Sequence, residues 1–168
     1  RHPGRVWRLD VLDEAGRRTH GWQAAAASDD VPTVWCLHGK HAGDNAQIDA
    51  FAAALGWPTR AHRLRFSVLS RLPGWLRGAS RVGFAGSEPA LAPPWPDLII
   101  AAGRRSASVA RWIVRQSGGR TRSVLLGRPR APLAAFDLVV TTPQYGLPVR
   151  GNVLHLPAPA AMLPAADP

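Results

Sequence analysis

The stretch VWCLHGKHAGDNAQIDAFAAALG, residues 34–56, decides the fold because a strand, a polar loop and a helix follow one another within it. Residues 33–37 form a continuous apolar run of strand length, which is typical of a strand covered on both faces. From Ile48 to Leu55 apolar residues recur at three- and four-residue intervals, the spacing of one helix face. The stretch therefore predicts a buried strand that leads through a short loop into a helix.

The ends of this helix are also marked in the sequence. Asp44 has a side chain suited to the N-cap position, and Gln47 three residues later completes a capping box. Gly56 stands where helices commonly end in a left-handed residue, and Pro58 prevents continuation. We therefore expect the helix to begin after Asp44 and to end at Gly56.

The same strand–helix unit recurs later in the chain. Residues 97–102 form a second buried apolar run, Gly103 turns the chain, and Ser106 is expected to cap a helix that stops at Gly118. Further strands are predicted at residues 61–69, 122–127, 136–142 and 152–156. Strands that alternate with helices in this way predict an α/β fold with a doubly wound, mainly parallel Rossmann-like sheet and helices on both faces.

The length and composition allow one ordinary domain with an extension. The chain has 168 residues, of which 46% are apolar. Residues 1–32 are polar and arginine-rich, with strand-like alternation only at 5–12, so we expect a poorly ordered or peripheral extension before a domain over 33–156. The sequence starts at Arg1 without a methionine and stops in an Ala/Pro-rich tail, so we expect a piece of a longer protein. It shows no signal-peptide pattern, which favours a cytoplasmic location.

The net charge of +10 comes almost entirely from arginine, since Lys40 is the single lysine. The sequence contains no lysine-rich tail, zinc-knuckle spacing or aromatic–basic RNA-binding run. We therefore expect no nucleic-acid partner, and assign the charge to phosphate-bearing small molecules or an anionic membrane surface. Cys36, the single cysteine, lies inside the apolar run and fits a small core residue in a reducing compartment.

Four polar loops follow predicted strands, at residues 38–45, 103–106, 127–132 and 141–148. In doubly wound sheets ligands bind outside the carboxyl ends of the strands, near a change in strand order. The loops are rich in hydrogen-bond donors, so we expect one cationic crevice that binds a phosphorylated ligand. The expected contacts are Gly39, Lys40, Gly43, Asn45, Gly103, Arg104, Arg105, Ser106, Arg128, Arg130, Thr141, Thr142, Gln144 and Tyr145.

The first loop has the features of an anion-binding loop. Gly39 and Gly43 allow a close backbone approach, and the following helix presents free N–H groups. Lys40 adds a positive charge. The alternative is an ordinary polar turn in which Asp44 only caps the helix, and the sequence leaves both interpretations open.

No cofactor and no metal are expected at these loops. The first loop matches neither the Walker A pattern nor G-x-G-x-x-G, which speaks against a nicotinamide cofactor. His38 and His41 have a loose metal-ligand spacing, but the sequence offers no third ligand nearby.

Residues 69–84 place an aromatic–aliphatic group among arginines. Such a group can dock on an anionic membrane face, which predicts membrane contact at Trp75, Leu76 and Arg77 and a protein peripheral at the inner membrane face. The favoured alternative is a short amphipathic helix that packs Trp75 and Leu76 on the core.

Three long segments, residues 34–58, 96–148 and 152–159, resemble the mitochondrial-fission Elm-type family, whose bacterial members are similar to glycosyltransferases of the GT-B type. The resemblance covers roughly residues 33–160. It implies the acceptor-binding N-terminal domain of a metal-independent enzyme, with a phosphorylated or lipid-linked acceptor. It also implies that a missing C-terminal half binds the nucleotide-sugar donor, that residues 157–168 begin the interdomain linker, and that the domain alone is inactive.

The resemblance leaves the catalytic base unassigned. A related enzyme that adds a sugar to a lipid-linked acceptor has a histidine as its candidate base in the first glycine-rich loop. Here no histidine directly follows a double glycine, so His41 and Asp44 are both candidates. Since plant members are linked to recruiting a fission GTPase, the alternative function is a non-catalytic adaptor that binds a protein partner through a retained GT-B-like fold.

Overall fold

The computed structural model describes residues 10–12, 18–21, 31–68, 79 and 83–159. The chain divides into two compact units, Arg1–Val31 and Pro32–Pro168. The first unit contains the antiparallel strands β1 (Asp10–Leu12) and β2 (Arg18–Gly21). The sequence pattern indicated only the first of these strands.

The second unit is built on a seven-stranded sheet in the order β5-β4-β3-β6-β7-β8-β9. Every neighbouring pair is parallel except β4 and β5. The prediction of a mainly parallel α/β sheet is therefore confirmed. The strands are β3 (Val34–His38), β4 (Thr59–Phe66), β5 (Phe84–Glu88), β6 (Leu98–Ala102), β7 (Arg122–Leu126), β8 (Leu138–Thr141) and β9 (Val153–His155).

Two long helices, α1 (Ala42–Leu55) and α2 (Gly103–Gln116), cover opposite faces of this sheet. α1 leads from β3 to β4 on one side, whereas α2 leads from β6 to β7 on the other side. Because such crossovers are right-handed, opposite directions place the helices on opposite faces. The packing agrees with this placement. Buried residues of α2 form one core cluster with alternate residues of the strands, and the buried residues of α1, Ile48 and Ala52, do not belong to that cluster. That cluster contains Trp35, Leu37, Ile99, Ala101, Val109 and Ile113.

Both predicted helix caps at the amino ends are wrong. α1 begins at Ala42 with His41 as its N-cap residue, so Asp44 lies inside the first turn and forms no capping box with Gln47. α2 begins directly at Gly103, whose φ of 74° turns the chain out of β6 without a loop. Ser106 is therefore a buried helix residue rather than a cap. The predicted ending at Gly56 is confirmed, since this residue is left-handed with φ 66°.

Two strand predictions are also corrected, and the structure adds a further strand, β5. β4 begins at Thr59 rather than at residue 61, because Thr59 pairs with Val34 at the start of β3. β8 begins at Leu138 rather than at residue 136, because Leu133–Ala135 forms a short 3-10 helix just before it. β5 was not predicted, since FAGSE has few apolar residues and pairs on one side only.

β4 extends beyond the carboxyl end of β3. The last paired residue of β3 is His38, which lies opposite Arg63, and β4 continues to Phe66. This extension pairs with β5, where Arg65 forms an ion pair with Glu88 at 3.2 Å. The two strands therefore form a raised ridge along one side of the carboxyl edge.

Candidate functional site

The loop after β3 and the amino end of α2, which directly follows β6, meet at the point where the strand order reverses. A Cβ built on Gly39 would lie 3.9 Å from Ser106 Oγ, and one built on Gly103 would lie 3.2 Å from Asp44 Oδ2. β3 and β6 are parallel neighbours whose helices lead away in opposite directions. This is the switch point at which doubly wound sheets bind ligands. We call the space between residues 38–45 and 103–106 the switch-point crevice.

Asn45 fixes the backbone of the first loop. The Gly39 N–H donates to Asn45 Oδ1 at 2.9 Å, and Asn45 Nδ2 donates to the Gly39 carbonyl at 3.1 Å. Both halves of the amide are thus engaged with the backbone of one residue, Gly39. Asn45 thus acts as a brace that holds this loop in place. The sequence predicted a ligand contact for Asn45 and not this structural role.

Asp44 brings a carboxylate to the amino ends of both helices. It lies in the first turn of α1, and its Oδ2 lies against Gly103, the first residue of α2. Negative charge is favourable there because the helix dipoles and free N–H groups are positive. A phosphate would have to avoid this carboxylate, which leaves it the side of the crevice near Lys40.

The predicted cations of the crevice differ in exposure. Lys40, His41 and Arg104 are exposed, and Arg105 is half-buried in the first turn of α2. Since Arg104 and Arg105 follow directly on Gly103, both belong to the first turn of α2, whose first residue lies against Asp44. The crevice therefore combines one carboxylate with cationic residues from the loop after β3 and from the amino end of α2.

The loops after β7 and β8 meet in a second place. A Cβ built on Gly127 would lie 3.8 Å from the ring of Tyr145, and Gly127 has a φ of 85°. Thr142 is 7% exposed, and its Oγ1 has no hydrogen-bond partner among the described residues. A small pocket joins these residues to Gln47 of α1. We call it the Thr142 pocket.

Gln47 is a site residue that the sequence analysis missed. Its polar side chain was interpreted as half of a capping box, but α1 begins earlier and leaves it one turn after Asp44. The remaining predicted contacts Arg128, Arg130 and Gln144 are exposed, and Thr141 also lines the Thr142 pocket.

A histidine–carboxylate pair lies beside the crevice. His38 Nε2 donates to Asp49 Oδ1 at 2.8 Å, which ties the end of β3 to α1. The separation of His38 and Asp49 in the sequence fits none of the usual motif spacings, so the sequence did not indicate this contact. Among the described residues, no group of three or more His, Cys, Asp or Glu side chains is placed to hold a metal ion.

Two other titratable groups are buried in the sheet. Burial raises the pKa of the Cys36 thiol to about 11, with a smaller contribution from the charge of Asp49. His62 is fully buried against the ring of Trp35, and its Nδ1 donates to the Pro89 carbonyl at 3.0 Å. Burial lowers the pKa of His62, more than the bond to Pro89 raises it.

The predicted membrane contact at Trp75, Leu76 and Arg77 lies outside the described residues. Within the described ranges, none of the helices has the length and apolar character needed to cross a bilayer.

Comparison with known proteins identifies one family. A family model described as Mitochondrial fission ELM1 matches residues 42–153, which is more than half of the chain. The match spans both helices and β4 to β8, and so includes the amino end of α1, the loop at Gly103 and most of the Thr142 pocket. No curated protein matches the chain. No solved structure matches it either.

Proposed function

Because the chain belongs to the mitochondrial fission ELM1 family, we propose that its second unit is the acceptor-binding domain of a metal-independent GT-B glycosyltransferase. The donor is a nucleotide sugar bound by a separate half of the enzyme, and the acceptor is a phosphorylated or lipid-linked molecule. The observation that carries the proposal is the switch-point crevice, where Asp44 lies against Gly103 among cationic side chains.

The phosphate of the acceptor binds at the amino end of α1. The first-turn N–H groups of that helix and the Lys40 ammonium supply hydrogen bonds and positive charge. Arg104 and Arg105 supply further charge from the first turn of α2. The brace between Asn45 and Gly39 holds the loop in a fixed shape, so that little order has to be gained on binding.

Asp44 is the general base of the proposed transfer. Its carboxylate lies inside the crevice, whereas His41, the other candidate, has an exposed side chain. The acceptor hydroxyl gives its proton to Asp44 while its oxygen bonds to the anomeric carbon of the donor sugar. The bond from that carbon to the nucleotide diphosphate breaks, and the diphosphate leaves with the electron pair.

Transfer from radiolabelled nucleotide sugars in the full-length protein tests the base. Asp44→Asn should lower kcat by about 100-fold or more, the typical contribution of a general base. Asp49→Asn is the matched control, because it makes the same change on the same helix outside the crevice. Loss of transfer in Asp49→Asn with activity kept in Asp44→Asn would assign the base to His38 instead.

Acceptor binding tests the phosphate site separately. Arg104→Ala/Arg105→Ala should weaken binding of a short isoprenyl phosphate at least tenfold, and binding of the parent isoprenol much less. Arg150→Ala, which removes an exposed arginine just before β9, should leave the affinity unchanged. A full-length protein that neither binds nucleotide sugars nor transfers sugar would favour the adaptor function over the enzyme.

A further inference from the structure

The lining of the Thr142 pocket is uncharged and combines polar with apolar groups. It is lined by Gln47, Gly127, Thr141, Thr142 and Tyr145, together with apolar side chains of β7, β8 and the segment after β9. None of the described residues that line it carries a charge. The lining therefore offers a phosphate no countercharge, and this pocket differs in chemistry from the switch-point crevice.

The hydroxyl of Thr142 is a buried polar atom that the fold does not use. Its Oγ1 has no hydrogen-bond partner among the described residues, and the residue is 7% exposed. A buried polar group without a partner destabilises a protein, so such groups in native structures require an explanation. Because Thr142 lines the pocket, a ligand group that enters the pocket can supply the partner.

The other polar groups of the pocket suit an uncharged ligand. The Gln47 amide offers both a donor and an acceptor, and the Tyr145 hydroxyl can do the same. The Tyr145 ring lies beside Gly127, where a Cβ would be in ordinary van der Waals contact with it, and the positive φ of Gly127 favours glycine. The pocket opens to the surface, and the space inside it holds roughly one water-sized group.

We propose that the Thr142 pocket binds a neutral pyranose ring of the acceptor by taking up one of its hydroxyl or hydroxymethyl groups. Thr142 and Gln47 hydrogen-bond that group, and the ring lies beside Tyr145. Gln47 stands one helical turn from Asp44, so the pocket and the crevice can contact one ligand. This inference rests on the proposed function, because it names the part of the acceptor that carries no phosphate.

Binding of methyl pyranosides and the corresponding sugar 1-phosphates to the full chain tests the proposal, measured by saturation-transfer NMR and calorimetry. The gluco, galacto, manno and 2-acetamido sugars form the panel. Thr142→Val should weaken binding of the preferred methyl pyranoside about threefold to tenfold, the effect of one hydrogen bond. The matched control is Thr59→Val, the same change at an exposed residue of β4.

The thermal midpoint gives an independent measurement. Removing an unpartnered buried hydroxyl should leave the midpoint of Thr142→Val unchanged or raise it, although sugar binding falls. A lower midpoint would show that the hydroxyl supports the fold and would overturn the proposal. Tyr145→Phe should also weaken sugar binding without unfolding the protein.

The outcomes separate this proposal from the proposed function. Binding of a sugar phosphate that Thr142→Val leaves unchanged overturns the pocket while the phosphate site stands. Binding of the methyl pyranoside that depends on Thr142 but gains nothing from a 1-phosphate supports the pocket and contradicts the phosphate site. If no sugar of the panel binds, the pocket is not a pyranose site.

Discussion

Asn45 and Gly39 exchange two hydrogen bonds, so that one side-chain amide pairs with both polar atoms of one residue's backbone. The pairing joins the end of β3 to the first turn of α1 across the loop that carries Lys40. It explains why α1 begins at Ala42 although Asp44 is the better capping residue. The loop shape is therefore set by a contact six residues apart rather than by the cap.

Asn45→Ala should lower the free energy of unfolding by about 1–2 kcal/mol. The substitution removes two hydrogen bonds and leaves the polar groups of Gly39 without that partner, which outweighs the better helix propensity of alanine. Urea unfolding followed by circular dichroism measures the change. The control is Gln116→Ala at the exposed end of α2, and an equal effect in both variants would contradict the brace.

Gly103→Ala should destabilise the protein by about 1–2 kcal/mol, more than the same change at Gly56. The residue has a φ of 74°, and its new Cβ would meet Asp44 Oδ2 at 3.2 Å. Gly56→Ala is the comparison, because φ is 66° there and no atom lies within 4 Å. Gly56→Ala should lower the free energy of unfolding by only about 1 kcal/mol, which is the contribution of the backbone conformation.

A double variant separates the two contributions at Gly103. The double variant Asp44→Ala/Gly103→Ala loses the close contact but keeps the backbone strain. In chemical denaturation, the loss of stability caused by Gly103→Ala should therefore be smaller in the Asp44→Ala background and closer to that of Gly56→Ala. Additive effects of the two substitutions would show that Asp44 does not contact this glycine.

The stability of the protein should fall as the pH drops below 6.5, in part because of His62. Burial lowers the pKa of His62 in the folded state, so only the unfolded state takes up a proton at first. The contribution of neutral His62 to the stability of the folded state is complete above its unfolded pKa of 6.5. It is lost as the pH falls toward the lower pKa of His62 in the folded state. The Nδ1–H is donated to Pro89, and a proton on Nε2 would find no partner among the described residues.

Urea midpoints at several pH values measure this dependence. His62→Phe keeps a ring against Trp35 but has no proton to gain, so its midpoint should fall less between pH 7 and pH 5. An equal fall in the variant and the wild type would mean that other groups cause the acid sensitivity.

Cys36 should not react with a thiol reagent in the folded protein at pH 8. Its pKa of about 11 keeps the thiolate scarce, and its side chain is buried in β3. Colour release from a disulfide reagent measures the reaction, which should become complete in guanidinium chloride. Fast labelling of the native protein would show that β3 opens on the time scale of the assay.

The sequence predicted those elements whose apolar pattern is local. β3, β6 and β7 are buried runs of strand length, and α1 and α2 follow two of them, so their order already indicated a parallel sheet. β5 was not predictable because an edge strand that contains Gly86 has little apolar pattern of its own. The early start of β4 was not predictable because it is set by pairing with Val34, a contact across the sheet.

The candidate site was predictable only as far as topology determines it. Apolar strands followed by polar loops indicated the carboxyl edge, and the structure brings Asp44, Gly103 and Ser106 together there. The contact of His38 with Asp49 depends on how α1 lies on the sheet, which no spacing encodes. The pattern around Gln47 fits a cap, and only its place in the lining of the Thr142 pocket gives it another role.

The ridge formed by β4 and β5 gives the carboxyl edge two unequal flanks. Leu64–Phe66 rise beyond the end of β3, whereas β9 ends level with Thr141 of β8. A ligand longer than the switch-point crevice therefore meets a wall on the β4 flank and an open surface over β8 and β9. Such a ligand extends toward the β9 flank, the side on which the Thr142 pocket lies.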